Sequence, residues 1–233
     1  MLIFFDCETT GLEAFDRICS VGFITQDEVF YELIKPPRKI RPEASALQHI
    51  TNEMVANKKC FEDSKTQEKL AKLNSKENIL VSHNVAFDLQ MLQKEGFVWQ
   101  GAIIDTLKCT RHLIPECEQY ALQFLRYELK LYQHELQEAK PLEITLAAHH
   151  ALSDALHVKL LYTYLLDMAT QEQLVDLSME HALITKFAFG KYKGRYLEEI
   201  ALSDPGYLQW MLGNMFDMDD DLRYSVEYYL AQS

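Results

Sequence analysis

Apolar residues come in short runs over the first third of the chain and in wider, helix-spaced sets after it. Leu2 to Asp6 is an apolar run, Arg17 to Thr25 is rich in β-branched and apolar residues, and Val29 to Ile34 alternates between turn signals. Three strands are predicted there. The short links at Thr10-Gly11 and at Gln26 to Glu28 suit antiparallel neighbours, because parallel strands need a long crossover. Lys65 to Leu73 has helical spacing, Ile79 to Ser82 reads as a short buried strand, and Phe87 to Gly96 as a helix closed by its glycine. Ala102 to Asp105 is a further apolar strand, and helical crossovers set the last two strands parallel beside the first three. The expected fold is α/β, a mixed five-stranded sheet flanked by helices.

Farther on, Leu122, Leu125, Leu129 and Leu131 predict a helix over Gln119 to Tyr132, running into a connection that Pro141 interrupts. Ala151 to Leu166 reads as a second long helix. A polar helical stretch reaches about Glu180, and the character then changes at FAFGKYKGRYLEEIALSDPGYLQWML. The predicted organisation is a main domain over residues 1–170 and a small C-terminal appendage over 182–233.

With 48% apolar residues and only 8 Gly and 6 Pro in 233 positions, the chain can bury a core. Cys7, Cys19, Cys60, Cys109 and Cys117 form no C-x-x-C pair and have no His tract to complete a zinc site, so a reducing compartment is the simplest reading. MLIFFDCETTG meets an aspartate after four apolar residues and lacks a basic segment, and is expected to be neither signal peptide nor anchor. No run approaches the roughly 18 apolar residues of a bilayer span. The expectation is a cytoplasmic protein without membrane contact, and no protein partner is indicated. A net charge of −12 argues against a globally basic nucleic-acid-binding surface. Two clusters run against it, Lys35 to Arg41 (KPPRKIR) and Lys191 to Arg195 (KYKGR), each readable as a solvated loop or a local phosphate contact.

The chemistry is carried by acids at strand-to-helix junctions. Asp6 and Glu8 lie two apart at a strand end, which turns both carboxylates to one face. Alone, such a pair is also what a solvated strand end carries. Asn84 is a good N-cap, which puts Asp88 in the first turn of the next helix, where it also favours the helix dipole. In α/β sheets, sites form at the carboxyl ends of strands, where both groups fall. His149 and Asp154 are five residues apart, about 140° on one helix, so the histidine is expected to precede the helix that bears the aspartate. From there a neutral imidazole can take a proton from water. His150 competes for that role, and only one of the two neighbours is expected to reach the site.

DCETTGL, SHNVAFD and HHALSD, in that order, resemble the three motifs of the DEDDh exonucleases. The resemblance implies an RNase H-like fold, metal-binding acids at Asp6, Glu8, Asp88 and Asp154, and the H-x-A-x-x-D histidine at His149. It implies that Thr9, Thr10, Gly11 and Leu12 receive the terminal nucleotide, with Asn84, Phe87 and His49 as further substrate contacts. In SALQHITNEMV the family's usual histidine is replaced by Gln48, with His49 one place later. Asp105 falls on an acid that is usually structural. GKYKG followed by DPGYLQWML resembles the C-terminal region of the bacterial exonuclease X branch, with Lys191, Lys193 and Arg195 as candidate nucleic-acid contacts. Asp217, Asp219 and Asp221 begin like a calcium loop, but Leu222 and Tyr228 stand where Gly and Glu are required, so a solvated acidic turn is expected.

Four carboxylates and a histidine suit two-metal hydrolysis, with oxygen ligands that fit Mg²⁺ or Mn²⁺ and not zinc. The function expected from the resemblance is 3′→5′ cleavage of DNA, single strands or frayed ends, to 5′-mononucleotides. Two alternatives stand beside it: the same chemistry on RNA or short oligonucleotides, and an inactive nucleic-acid-binding or docking module.

Overall fold

In the computed structural model, which describes residues 1–233, five strands form one mixed sheet. They are β1 (Leu2–Thr9), β2 (Ile18–Ile24), β3 (Val29–Leu33), β4 (Ile79–Ser82) and β5 (Ala102–Asp105), in the order β3-β2-β1-β4-β5. β1–β2 and β2–β3 are antiparallel, β1–β4 and β4–β5 parallel, as the link lengths predicted. β1 runs three residues beyond the apolar stretch, and its link to β2 occupies residues 10–17 rather than a two-residue turn.

Between β3 and β4 lie α1 (Pro42–Gln48), α2 (Asn52–Val55) and α3 (Lys65–Leu73), and α4 (Val85–Lys94) separates β4 from β5. Then come α5 (Thr106–Leu113), α6 (Leu122–Glu128), α7 (Tyr132–Ala139), α8 (Ala151–Leu165) and α9 (Gln171–Met179), and the tail adds α10 (Leu197–Ser203), α11 (Pro205–Asn214) and α12 (Asp220–Gln232). The helix expected over Gln119 to Tyr132 is two helices, broken where Lys130 takes a φ of 57°. Leu125 and Leu131 both enter one apolar cluster. Six residues apart on a continuous helix they would point about 120° away from each other, and the break lets both turn into that cluster. No helix is long and apolar enough to cross a membrane.

The two-residue period of β1 divides the core. Ile3, Phe5 and Cys7 pack with Leu70, Met91 and Leu92 of α3 and α4, while Phe4 packs against α8 on the other face. Asp6 and Glu8 continue the Phe4 face and so come out beneath α8. That helix is buried over most of its circumference, enclosed by the sheet on one side and by α5, α6 and α7 on the other. Its close approach depends on Gly22, paired with Asp6 across β1–β2: a Cβ there would stand 2.3 Å from the Leu152 backbone nitrogen. The missing side chain lets the first turn of α8, with Asp154, descend onto the strands that carry Asp6.

The tail has its own apolar cluster, built on Phe187, Leu197, Ile200, Leu208, Met211 and Val226. Its attachment to α5 is ionic. Arg111 of α5 donates to Asp221 (2.7 Å) and Asp219 (3.1 Å), and Lys108 lies 3.4 Å from Asp221. Asp217 and Asp219 are exposed, as a solvated acidic turn requires, but Asp221 is 1% exposed and forms a buried junction, because α5 supplies cations the local sequence does not reveal.

Candidate active site

Asp6, Glu8 and Asp154 bring one carboxylate oxygen each within 4.8 Å of one another. Asp6 and Glu8 come from one face of β1 and Asp154 from the first turn of α8. Asp88 reaches the same strand end from α4, on the opposite face of the sheet. Its buried carboxylate accepts hydrogen bonds from Cys7 Sγ (3.1 Å) and from Ser82 Oγ. It therefore stands behind the three-acid group rather than within it.

No lysine or arginine forms an ion pair with any of the four acids. Burial, then the charges of Asp88, Asp154 and Glu8, raises the Asp6 carboxyl well above the usual range. Burial, then Asp154 and Asp88, pushes Glu8 up to about 8. Asp88 rises to about 7, chiefly through burial and against the hydrogen bonds from Ser82 and Cys7. Crowded carboxylates without a counter-charge favour protons or a divalent cation, and an all-oxygen donor set is the kind hard ions such as Mg²⁺ and Mn²⁺ take.

Beside the acids opens a cleft of about 510 Å³, lined by Glu8, Thr9, Gly11, Leu12, Arg41, Gln48 and His149 among others. Its floor is the β1–β2 link, pinned by Asp16. That buried carboxylate accepts from Thr10 Oγ1 (2.7 Å) and the Glu13 N–H (2.9 Å), and lies 3.2 Å from Arg41. Burial acts to raise Asp16, but these hydrogen bonds and the Arg41 and Arg38 guanidiniums outweigh it and hold the carboxyl low. Gly11 is required beside it, since a Cβ would meet Asp16 Oδ2 at 2.5 Å. The link presents Leu12, 84% exposed, at the cleft.

The family model described as Exonuclease matches residues 3–162, and one described as Exodeoxyribonuclease X-like C-terminal matches residues 187–216. This chain belongs to the exonuclease family. Among curated relatives of this exonuclease, Exodeoxyribonuclease 10 of Escherichia coli K12 is 31% identical over 242 residues, covering 100% of both chains. The DNA polymerase III subunit epsilon of Treponema pallidum is 33% identical over 167 residues, 63% of this chain and 76% of that one. A solved structure of exonuclease X in complex with 5′ overhanging duplex DNA superposes with a TM-score of 0.57 at 26% identity, over 76% of this chain and 99% of that one. E. coli exonuclease I with a dA16 oligonucleotide shares the fold, with a TM-score of 0.53 at 20% identity, over 75% of this chain and 42% of that one. The sheet of this exonuclease is thus the RNase H-like arrangement the motifs implied.

Several expected contacts of the exonuclease take different places. His149 precedes α8 at a φ of 55°, exposed and facing the cleft, while His150 stacks on Tyr31 with ring centroids 4.4 Å apart. His49, the left-handed C-cap of α1, lies away from the cleft lining, and Gln48 occupies it: buried, it donates to the Thr9 carbonyl at 2.8 Å. Thr10 has neither group free for a substrate, since its N–H donates to the Arg17 carbonyl (2.9 Å) and its hydroxyl to Asp16 (2.7 Å). Phe87 is half-buried against the core beside Val85 and Met91. Asn84 does not cap α4 with its side chain. It adopts a φ of 67°, and its N–H and that of Val85 go to Asp105 at 2.9 and 3.2 Å. Asp105 also accepts from Leu107 N (3.0 Å), so one structural acid caps two helices. In the tail, Lys191 is bound to Asp204 (3.2 Å) and Arg195 to Glu199 (3.2 Å), and only Lys193 of the three is without an ion pair. Tyr207 meets Tyr192 edge-on against the small core and stacks on Trp210, which is itself half-exposed.

One set of residues had almost no signal in the sequence. Gln123 of α6 donates to Asp154 Oδ1 at 2.6 Å, and His157 Nδ1 lies 3.2 Å from the same oxygen. On the far side of the fully buried imidazole, Nε2 is 3.3 Å from Glu135, which Arg126 grips with two bonds of 2.6 and 2.7 Å. All these bonds to Asp154 fall on Oδ1, and none on Oδ2. The stretch supplying Gln123, Arg126 and Glu135 matches no motif. The one available hint was His157, three residues after Asp154 and so on its side of α8.

Proposed function

We propose that this chain is a 3′→5′ exonuclease of the DEDDh type that releases 5′-mononucleotides from DNA, acting on single strands or frayed ends. The observation that carries the reading is the three-acid group Asp6, Glu8 and Asp154, without a protein cation, at the mouth of a cleft that also holds His149. The names of exodeoxyribonuclease 10 and of the duplex-bound exonuclease X favour DNA over RNA as the nucleic-acid partner.

Asp6, Glu8 and Asp154 would hold one divalent ion, with Asp6 shared toward a second that Asp88 supports. Two such ions, Mg²⁺ or Mn²⁺, would supply an activated water and stabilise the attacking and leaving oxygens. His149 takes the proton from the attacking water, and its exposed position leaves it free to pass that proton to solvent. Thr9 and Gly11 bring backbone groups to the cleft for the terminal nucleotide, and Leu12 offers an apolar edge against the adjacent base. Residues 1–170 form the catalytic domain and 182–233 the appendage, a division supported by the separate apolar cluster of the tail.

The test is a 5′-labelled single-stranded DNA and its RNA equivalent, incubated with Mg²⁺, Mn²⁺ or EDTA beside an Asp6→Ala control. A metal-dependent ladder of shortened labelled products, faster on DNA and missing with Asp6→Ala, is expected. No ladder on either strand from folded wild type would overturn the reading in favour of a binding module.

A further inference from the structure

The segment KPPRKIR does not fold as a solvated loop. Ile34, Pro36 and Ile40 are buried, Asn52 brackets Ile40 with hydrogen bonds of 2.9 and 3.1 Å to its N–H and carbonyl, and the Lys35 N–H is bonded to the Lys59 carbonyl at 2.9 Å. The backbone is thus anchored on alternate sides while Lys35 and Lys39 point outward, with Lys58 and Lys59 exposed on the adjoining turn. None of these four ammonium groups has an ion pair. Two shallow clefts share Lys35 and the two prolines, so the four cations lie on one continuous surface. Glu62 and Asp63 share it and leave it net positive, and Glu95 there is taken by Arg17 at 2.8 Å.

This surface leads to the catalytic cleft. Arg38 lies with its Cζ 4.2 Å over the Phe15 ring and donates to the Phe15 carbonyl. Arg41 lines the cleft itself, its N–H on the Thr10 carbonyl. We propose that Lys35, Lys39, Lys58 and Lys59 form a phosphate track, which Arg38 and Arg41, both held by Asp16, only border on the side of the cleft. The track holds the part of a nucleic-acid substrate that lies outside the cleft and is not being cleaved. The proposal rests on the exonuclease reading for what enters the cleft, but binding to the track requires no hydrolysis. In a chain of net charge −12, four unpaired and pre-positioned cations beside an acidic site mark where a polyanion can approach without meeting the protein's own field. The tail cluster lacks this property, since Lys191 and Arg195 already have carboxylate partners.

The test measures anisotropy of a long labelled single strand in EDTA as a function of salt, so that nothing is hydrolysed. Replacing all four lysines by alanine should weaken binding at least tenfold and lower the slope of log affinity against log salt by about 3, roughly 0.7 per phosphate contact on a single strand. Lys58→Ala with Lys59→Ala, which spares the anchored segment, should give about half that change in slope. Lys76→Ala with Lys140→Ala, exposed and unpaired elsewhere, should leave the slope at the wild-type value. In hydrolysis with metal, the ratio of kcat/KM on the long strand to that on a dinucleotide should fall. An unchanged slope in the fourfold variant overturns the track and leaves the surface to an acidic protein, with the exonuclease reading intact. A wild type that binds with the expected slope but does not hydrolyse overturns the exonuclease reading and leaves the track standing. A wild type that binds no nucleic acid overturns the track.

Discussion

Two acidic groups in this molecule have opposite fates. Asp6, Glu8 and Asp154 converge with no lysine or arginine paired to them, and burial together with mutual repulsion raises Asp6 and Glu8. Asp219 and Asp221 converge on Arg111 and Lys108, and Asp221 also accepts the Ala182 N–H at 3.2 Å. The first group is left with a charge deficit that only protons or metal ions can answer. The second is satisfied inside the protein and fastens the tail to α5. What separates a binding site from a structural joint here is the whereabouts of the cations, not the number of acids.

That contrast predicts a double dissociation. Asp6→Ala should lower activity by at least about a thousandfold, since metal-ion stabilisation is worth several kcal/mol and each 1.36 kcal/mol is tenfold. Its melting temperature in EDTA should not fall, because a repelling charge has been removed. A variant that keeps a tenth of the wild-type rate would break the comparison on the catalytic side. Asp221→Ala should do the reverse: Arg111 keeps only the exposed Asp219, the loss costs about 2–3 kcal/mol, and calorimetry should show melting about 5–10 °C lower. Per folded molecule its activity should stay within a few-fold of wild type, and a cleft-sized loss would show that the junction also shapes the site.

Smaller effects sharpen the picture. His149→Ala should slow hydrolysis about a hundredfold or more at neutral pH, with binding of DNA in EDTA retained. A loss well below that would pass the proton transfer to another group. Gln123→Leu removes a donor from Asp154 and should weaken Mn²⁺ binding by about 10–100-fold in a calorimetric titration, without a matching fall in melting temperature. Equal affinity would reduce the Gln123–Arg126–Glu135–His157 set to packing. The smallest effect is one of pH. Carboxyls raised to about 8 (Glu8) and about 7 (Asp88) keep protons in the folded, metal-free protein that the unfolded chain has already lost. Stability in EDTA should therefore decline as pH rises from below the ordinary carboxylate range toward 8, then level off. The decline between pH 6 and 8, a few degrees in melting temperature, should vanish with saturating Mg²⁺, which takes the protons' place. An equally steep decline with metal would locate the titrating groups elsewhere.

Much of this was legible in the residues. The apolar runs at Ile79 to Ser82 and Ala102 to Asp105 and the helical spacing of Lys65 to Leu73 match the observed elements end for end. Asp6, Glu8 and Asp154 were marked by their motifs and are brought together. The misses share a cause. Gln123 meets Asp154 across 31 positions, Asn84 is capped by Asp105 across 21, and Arg111 reaches Asp221 across 110. No local pattern records such partners. His49 and Gln48 differ by one step, but the helix end turns one outward and buries the other, which residue type alone does not state.

Periodicity and turn chemistry belong to the chain itself, because each depends on neighbours a few positions away. The strands themselves, their antiparallel or parallel sense and the common face of Asp6 and Glu8 were therefore legible in the sequence, and the motifs named the acids, while the strand order, with β4 beside β1 across more than seventy positions, belongs to the fold. Charge pairing was decided only in the folded molecule. Whether an aspartate or a lysine stays unpaired depends on what packing places within about 4 Å of it, and over that distance a counter-ion changes its energy by more than any local preference does. KPPRKIR and KYKGR are alike as strings. Packing left the lysines of one free and gave two cations of the other to neighbouring acids.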